Sequence, residues 1–501
     1  MMDVTKLDWS RCLYTPFDHQ RIGVIHLISN RFAGLFCEMG TGKTKQIIDT
    51  ACFLYEAKDI DTVLIICPAQ VKSVWAHYKY SQIIEHAWVE GIIHEFTSNS
   101  KSLPDKNRGL LWIVVSVELL RNRTHVLRLD TLLRDRIVWA VNDESSTISN
   151  FKASQTKGAI ALTRRCKRRS ILNGTPIGNS VLGLYSQLNF LDPAILRFKN
   201  FFAFRNHHAR MGGWMNKQVV GFYDLEGLQT KIKPFVLRRL KKDCLDLPPK
   251  ITAPIREVRL TPTTWKHYCS MRDEFVAYLE NSADVSIVTT APVKALRLAQ
   301  ICSGFLGGIE DEEGSKTIEI GSELTTAFLD YFNFRIETCQ PFWLIVWARF
   351  RPEIARLERL VREKFPQVDV RVLQGGLSKT ARDEAKTLFH PDAPDPKGPA
   401  LLIGQPQAGR FGSNFAKCSN VDRLSTDYSL LNKLQSDDRV HRPGQKNTTL
   451  FQEYLVLGPN GERTISGIIL KALQKNEDMA NWVSSRWVTE VLQVDNDYEP
   501  F

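Results

Sequence analysis

The stretch Phe32-Ala-Gly-Leu-Phe-Cys37-Glu38-Met39-Gly40-Thr41-Gly42-Lys43-Thr44 decides the fold, together with Lys45-Gln-Ile-Ile-Asp-Thr-Ala-Cys-Phe-Leu54 behind it. The apolar run to Cys37 predicts a buried strand, and the residues from Lys45 predict a helix. A strand, a glycine turn, Lys-Thr and a helix in that order make the context of a phosphate-binding loop. Gly40 and Gly42 let the backbone around Met39 and Thr41 approach phosphate oxygens, and the helix N-terminus adds favourable partial charge. In such a loop Lys43 reaches the β- and γ-phosphates of ATP, and Thr44 ligates Mg2+. The strict pattern has a further glycine where this chain has Cys37, a departure that leaves Gly-x-Gly-Lys-Thr intact.

Metal and water chemistry needs acids at the end of another strand. Arg136-Ile-Val-Trp-Ala-Val141 is such an apolar run, and it leads into Asn142-Asp143-Glu144-Ser145-Ser146. Asp143 is placed to hold magnesium, and Glu144 to orient and deprotonate an attacking water. Acidic pairs at strand ends also simply solvate turns; the phosphate loop upstream points to the catalytic reading. Far downstream, Gln435-Ser-Asp-Asp438-Arg439-Val-His441-Arg442-Pro-Gly444-Gln445 sets two arginines three positions apart. This spacing predicts that both sit on one face of a helix that the Pro-Gly pair then ends. Rigid arginines suit the charge that spreads over a transferring phosphoryl group, although a solvated charged helix end would read the same way.

With 501 residues the chain exceeds one core, so two or three domains are expected. A hydrophobic content of 43% and a charged content of 24% are ordinary for a globular protein. The net charge of +11 biases the partner towards an anion, nucleic acid first. Ten cysteines without any C-x-x-C pair argue against zinc ribbons and disulfide scaffolds, so no zinc is expected. No signal-peptide core and no membrane-length apolar run is found, so no membrane partner and a cytoplasmic location are expected, in a bacterial or virus-infected cell. Apolar runs such as Thr62–Pro68, Leu110–Ser116 and Ser170–Pro176 alternate with helical stretches up to about residue 190. The alternation returns from about residue 340 with Phe342–Trp347, Val368–Leu373, Ala400–Gly404 and Phe451–Val456. Such alternation means parallel sheets covered by helices. The expected division is an ATP-binding lobe over 1–192, a helical insertion with a basic segment over 193–330, a second lobe over 331–475, and a tail over 476–501.

Together these motifs resemble the Swi/Snf-type DNA translocases of the superfamily-two helicase-like ATPases, from about Tyr14 to Lys475. The resemblance implies an α/β fold of two RecA-like parallel-sheet lobes, a P-loop NTPase architecture with a helical insertion between them. Phe17-Asp-His-Gln20 resembles the segment whose glutamine reads adenine. Gln435 and Gly412 fall where the family contacts nucleotide. Ile66-Cys-Pro68-Ala-Gln-Val-Lys72 resembles the first strand-contacting motif. Leu172-Asn-Gly-Thr175-Pro176 resembles the motif coupling hydrolysis to lobe movement, and Gly409-Arg-Phe-Gly412-Ser413-Asn414 the motif touching both DNA and nucleotide. The most family-specific piece is Phe235-Val-Leu-Arg238-Arg239-Leu-Lys241-Lys242-Asp-Cys-Leu-Asp-Leu-Pro248-Pro249-Lys250. Pro68, Lys72, Thr175, Arg238, Arg239, Ser413 and Asn414 are thereby expected at nucleic acid.

Departures sit around the acids. Serines stand where the family commonly ends its acidic motif in Ala-His or Gly-His, so Ser145 or Ser146 must bond differently. Asn173 replaces a usual threonine or serine. The run Arg164-Arg165-Cys-Lys167-Arg168-Arg169 reads either as a solvated helix end or as phosphate contacts. Trp75, Trp214 and Trp265 read as base-stacking platforms or as core. The resemblance implies a DNA-dependent ATPase that translocates on double-stranded DNA, using ATP and Mg2+. The motor occupies nearly the whole chain, which suits a compact viral or bacterial form. Other readings are a true DNA or RNA unwinding helicase, a non-hydrolysing clamp, or the motor of a restriction or defence complex. Protein partners in replication, repair or defence fit each motor reading.

Overall fold

The computed structural model describes residues 3–77, 81–174, 180–212, 218–281, 287–311, 314–409 and 413–474. The chain divides into two compact units, and the division falls between Leu245 and Asp246.

The first unit is built on a parallel sheet. Its strands are β1 (Phe32–Cys37), β2 (Thr62–Cys67), β3 (Gly91–Phe96), β4 (Leu110–Ser116), β5 (Val138–Asn142), β6 (Arg168–Leu172) and β9 (Val236–Arg239). They lie in the order β3-β4-β2-β5-β6-β1-β9, and all neighbours are parallel. Every residue of β2 and of β5 is buried, as expected of strands covered on both faces. Leu64, Ile66, Ile113, Val115, Ala140 and Ile171 form the centre of the core. Helices α1 (Asp18–Ser29) and α2 (Lys43–Glu56) flank β1 in sequence. Parallel strands bring their C-terminal ends to one edge, where ligands of open α/β sheets bind. The ends of β1, β6 and β5 are neighbours there, so the residues after Cys37, Leu172 and Asn142 are brought together.

Segment 193–330 contributes helices, among them Phe201–His208 and Leu225–Ile232, but also many strands. Strands β7 (Ala209–Gly212) and β8 (Gln218–Phe222) form one antiparallel hairpin. Strands β12 (Phe305–Asp311) and β13 (Gly314–Glu319) form another. Strand β9 joins the first sheet, while β10 (Lys250–Thr252) and β11 (Arg256–Arg259) join the second.

The second unit carries β14 (Trp343–Trp347), β15 (Asp369–Leu373), β16 (Ala400–Gly404), β17 (Asn420–Arg423) and β18 (Thr449–Leu457). The order is β10-β18-β17-β14-β16-β15, with β11 also on β18, and again all pairs are parallel. Ile345, Trp347, Leu402, Val421 and Phe451 fill its core. The two parallel-sheet lobes are the expected RecA-like pair. No helix among the described residues is long and apolar enough to cross a membrane.

Candidate active site

The turn after β1 has the backbone of a phosphate-binding loop. Gly40 (φ 81°) and Gly42 (φ 77°) both adopt the left-handed region that side chains disfavour. Gly42 is the N-cap of α2, so Lys43 and Thr44 open the helix where its N–H groups are free. A Cβ on Gly42 would stand 2.2 Å from Gln20 Nε2, so the glutamine amide lies directly against the loop. Gln20 accepts a hydrogen bond from Phe17 N–H at 3.1 Å, which turns its amide towards the loop. Thr41 is buried; its hydroxyl donates to the Glu38 carbonyl at 2.8 Å, while His19 Nε2 and Gln46 Nε2 meet its own carbonyl. Lys43 Nζ donates to the carbonyls of Cys37 (2.8 Å) and Glu38 (3.2 Å). Burial lowers the pKa of Lys43, and the negative charges of Glu144 and Asp143 oppose that shift. The ammonium is therefore held between the loop backbone and the acidic pair. Buried Met39 packs beneath the loop against Gly174, where a Cβ would come within 2.7 Å of its side chain.

The acidic pair completes this edge. Asp143 N–H is bonded to the Ile66 carbonyl, which continues the β5–β2 register one residue past the strand. Burial and the neighbouring Glu144 push the Asp143 carboxyl up to about 6. The Trp75 indole N–H donates to its Oδ2 at 2.9 Å and opposes the rise. Trp75 is fully buried, so it belongs to the acid's support and not to a base-stacking surface. Glu144 takes the left-handed region (φ 55°, ψ 59°), an outlier for a glutamate of the sort that gathers at functional sites. A carboxylate this crowded gains from a cation, and Asp143 with Thr44 in the first turn of α2 suits the oxygen ligands that Mg2+ takes.

The two departures around the acids answer one another. The Ser145 hydroxyl donates to Gln187 Oε1 at 2.6 Å, and the Asn173 amide donates to Ser145 Oγ (3.3 Å) and Gln187 Oε1 (3.1 Å). All three side chains are buried, so the end of β6 is wired to the acidic turn by neutral groups. Gln187 carried no sequence signal.

The basic signature segment buttresses the phosphate loop. Arg238, on β9 beside Phe36, donates through Nη1 to the carbonyls of Phe36 (2.5 Å) and Gly174 (3.0 Å), and burial lowers its pKa. Arg239 Nη1 bonds the Arg238 carbonyl, and Glu38 bonds the Arg239 carbonyl and Lys241 N–H. Pro68 is buried at the end of β2, and Lys72 is paired with Glu95. In the arginine run, Arg168 is buried, bonded to Asp59 at 2.6 Å and to the carbonyls of Leu27 and Ile28. It closes the base of the sheet and offers nothing to phosphate. Trp265 stacks on Tyr268 with centroids 5.1 Å apart. Thr175, Gly412 and Trp214 lie outside the described residues.

In the second unit the arginines stand on a turn, not on a helical face. The helix Leu430–Asp437 ends before Arg439. Bonds from Arg439 N–H to the Ser436 carbonyl and from Val440 and His441 N–H to the Asp437 carbonyl then turn the chain. Asp437 holds the end in place through ion pairs with Lys250 (2.9 Å) and with Arg423. His441 Nε2 meets the Pro248 carbonyl at 2.8 Å, so Pro248 and Lys250 grip both sides of the turn. These two grips were invisible in the sequence. Arg442 Nη1 donates to the Ser413 carbonyl at 3.1 Å, and the Arg439 carbonyl accepts from Phe415 N–H. Burial and Arg439 lower the Arg442 pKa to about 10, a cation in want of an anion. Asn414 accepts from Ala416 N–H, and Ser413 is buried. Gln435 is fully buried with neither amide atom bonded among the described residues.

The chain is 27% identical over 444 residues to an uncharacterized ATP-dependent helicase of Mycoplasma pneumoniae, covering 87% of this chain and 39% of that protein. It is 25% identical over 480 residues to the transcription regulatory protein SNF2 of Saccharomyces cerevisiae, covering 91% of this chain and 27% of that one. The chain thus spans well under half the length of these curated relatives. Among solved structures it is similar to the Sulfolobus solfataricus SWI2/SNF2 ATPase core domain, at 22% identity and a TM-score of 0.42, covering 91% and 88% of the two chains. The family model described as the SNF2-related domain matches residues 19–304, more than half of the chain, and the chain belongs to that family.

Proposed function

We propose that the chain is an ATP-driven translocase on double-stranded DNA. The observation that carries the reading is the meeting of Lys43 with Asp143 and Glu144 at one sheet edge, above a glycine turn with free helix N–H groups. Backbone N–H groups and Lys43 hold the phosphates. Thr44 and Asp143 hold Mg2+, which when bound neutralises charge on the phosphate oxygens. Glu144 orients water for attack on the γ-phosphorus and takes its proton. Gln20 and Gln435 hold the nucleotide, and Arg439 and Arg442 stabilise the spreading charge of the transition state. Movement follows if each turnover changes the grip of the lobes on DNA.

Support for duplex DNA as the track comes from the Arg238–Lys250 signature, from the net charge of +11, and from relatives named as helicases and transcription regulators. Lys72, Ser413, Asn414 and Thr175 are the groups proposed at its backbone. Arg238 acts indirectly, by holding the loop strand. The test is the ATPase rate without nucleic acid and with duplex DNA, single-stranded DNA and RNA in turn. Duplex DNA is expected to stimulate most, and less as salt rises, because binding to phosphates releases counterions. Stronger stimulation by RNA or by single strands, or robust unwinding of a forked duplex, would overturn the translocase reading in favour of an unwinding helicase.

A further inference from the structure

We propose that His207, His208 and Asp224 form a zinc site that clips the base of the β7–β8 hairpin. The two histidines end the helix Phe201–His208 immediately before β7, and Asp224 follows β8 and caps the helix Leu225–Ile232. One possible ligand atom from each residue lies within 4.8 Å of the other two. Ligand atoms around tetrahedral zinc stand roughly 3.3 Å apart, so small side-chain rotations suffice.

The decisive residue is His208. Its side chain is fully buried, yet Nε2 has no hydrogen-bond partner among the described residues. Its other nitrogen, Nδ1, sits 3.1 Å from the Tyr223 carbonyl. A carbonyl there makes Nδ1 the protonated nitrogen and leaves a lone pair on Nε2, the tautomer a metal ligand needs. Asp224 is prepared in a similar way. Its Oδ1 accepts from Gly227 N–H at 3.1 Å, while Oδ2 points to His207 Nε2 at 2.8 Å. A Cβ on Gly227 would lie 2.3 Å from that carboxylate, so the glycine leaves it room to sit over the helix start. Asp224 itself takes the left-handed region (φ 46°), which aspartate adopts more readily than most residues. Two imidazoles and one carboxylate are the donors of a three-ligand zinc site, whose fourth position takes water. Spacing rules for cysteine-based zinc sites do not reach this cluster, because its ligands come from the two ends of a hairpin.

The test uses the full-length protein without nucleotide, in excess Mg2+, titrated with Zn2+ against a chromophoric chelator and with Co2+ followed by visible absorption. One equivalent is expected to bind, with the absorption of low-coordinate Co2+. His207→Ala and Asp224→Asn each weaken binding by about tenfold or more. Both positions are half exposed, so circular dichroism is expected to show an unchanged fold. Cys339→Ser, at an exposed cysteine, leaves binding unchanged. The proposal is overturned if no equivalent binds, if both site variants bind as tightly as the parent, or if Cys339→Ser abolishes the uptake.

Discussion

Trp75 Nε1 donates its proton to Asp143 Oδ2 at 2.9 Å, and this bond steadies an acid that burial would otherwise neutralise. Asp143 is pushed up to about 6, so its anion is lost as pH falls through that value. The acid limb of kcat/KM reports such a group in the free enzyme. Trp75→Phe keeps most of the volume and removes the donor. The limb is then expected to move up by about 1–2 pH units, the worth of one hydrogen bond to a charged group. A pH–rate profile checks it, and an unmoved limb would separate Trp75 from the chemistry.

The same shift has a consequence for stability. The Asp143 carboxyl ionises near 3.8 in the unfolded chain and at about 6 in the fold. Between these values the folded state binds the extra proton, so stability falls as pH rises through the window. Above it the ionised acid costs on the order of 3 kcal/mol. Asp143→Asn removes the charge and keeps the shape. Its melting temperature is expected to exceed the parent's near pH 7.5 and to match it near pH 4, while turnover is lost. Equal melting temperatures at both pH values would show that the carboxylate is not strained.

Lys43→Ala and Glu144→Gln are expected to stop turnover by different routes. The first removes the cation that the loop carbonyls of Cys37 and Glu38 hold at the phosphate position. Nucleotide affinity therefore drops. The second keeps shape and removes the base, so ATP stays bound and unhydrolysed. Fluorescent nucleotide titration separates the two, and near-normal turnover in Glu144→Gln would reassign the water-activating residue.

Much of the first lobe was legible because β1, the glycine turn and α2 switch abruptly from an apolar run to helical spacing. β9 was not. Leu237-Arg238-Arg239 reads as a basic helix, because only the folded sheet shows the Arg238 guanidinium returning to the Phe36 and Gly174 carbonyls. The arginine pair was legible as a pair, yet the helix ends at Asp437, and the ion pair that meets it there comes from Lys250, far away in sequence. The ligands of the acidic turn, Asn173 and Gln187, are likewise tertiary choices. A boundary at 192 follows the motifs but omits Phe204, Leu228 and Ile232, which are buried in the first core, and the whole of β9. A fragment 1–245 is therefore expected to melt cooperatively, and a fragment 1–192 to lack a cooperative transition. Equal transitions by circular dichroism would make β9 dispensable.

Arg442 and Lys250 divide the work of the second lobe between charge and position. Arg442 is lowered to about 10 by burial and by Arg439, so an approaching anion relieves both strains. An arginine acting on transition-state charge supplies about a thousandfold or more in rate. Arg442→Ala is expected to retain nucleotide and DNA binding and to lose DNA-stimulated turnover by that order. Lys250 does not carry the charge; it ties β10 to Asp437 at the end of the helix that precedes the arginines. Lys250→Met keeps the aliphatic stem and removes the ion pair to Asp437, which retains its pairing with Arg423. Its stimulated rate is expected to fall by roughly tenfold, with KM for ATP little changed, because misplacing a catalytic group slows chemistry more than binding. Single-turnover rates with saturating DNA check both variants. If Arg442→Ala and Arg439→Ala both kept full stimulated activity, the turn would be structural and the charge would have to come from elsewhere. If only Lys250→Met kept it, the arginines would be held by His441 and the Ser413 carbonyl without help from β10.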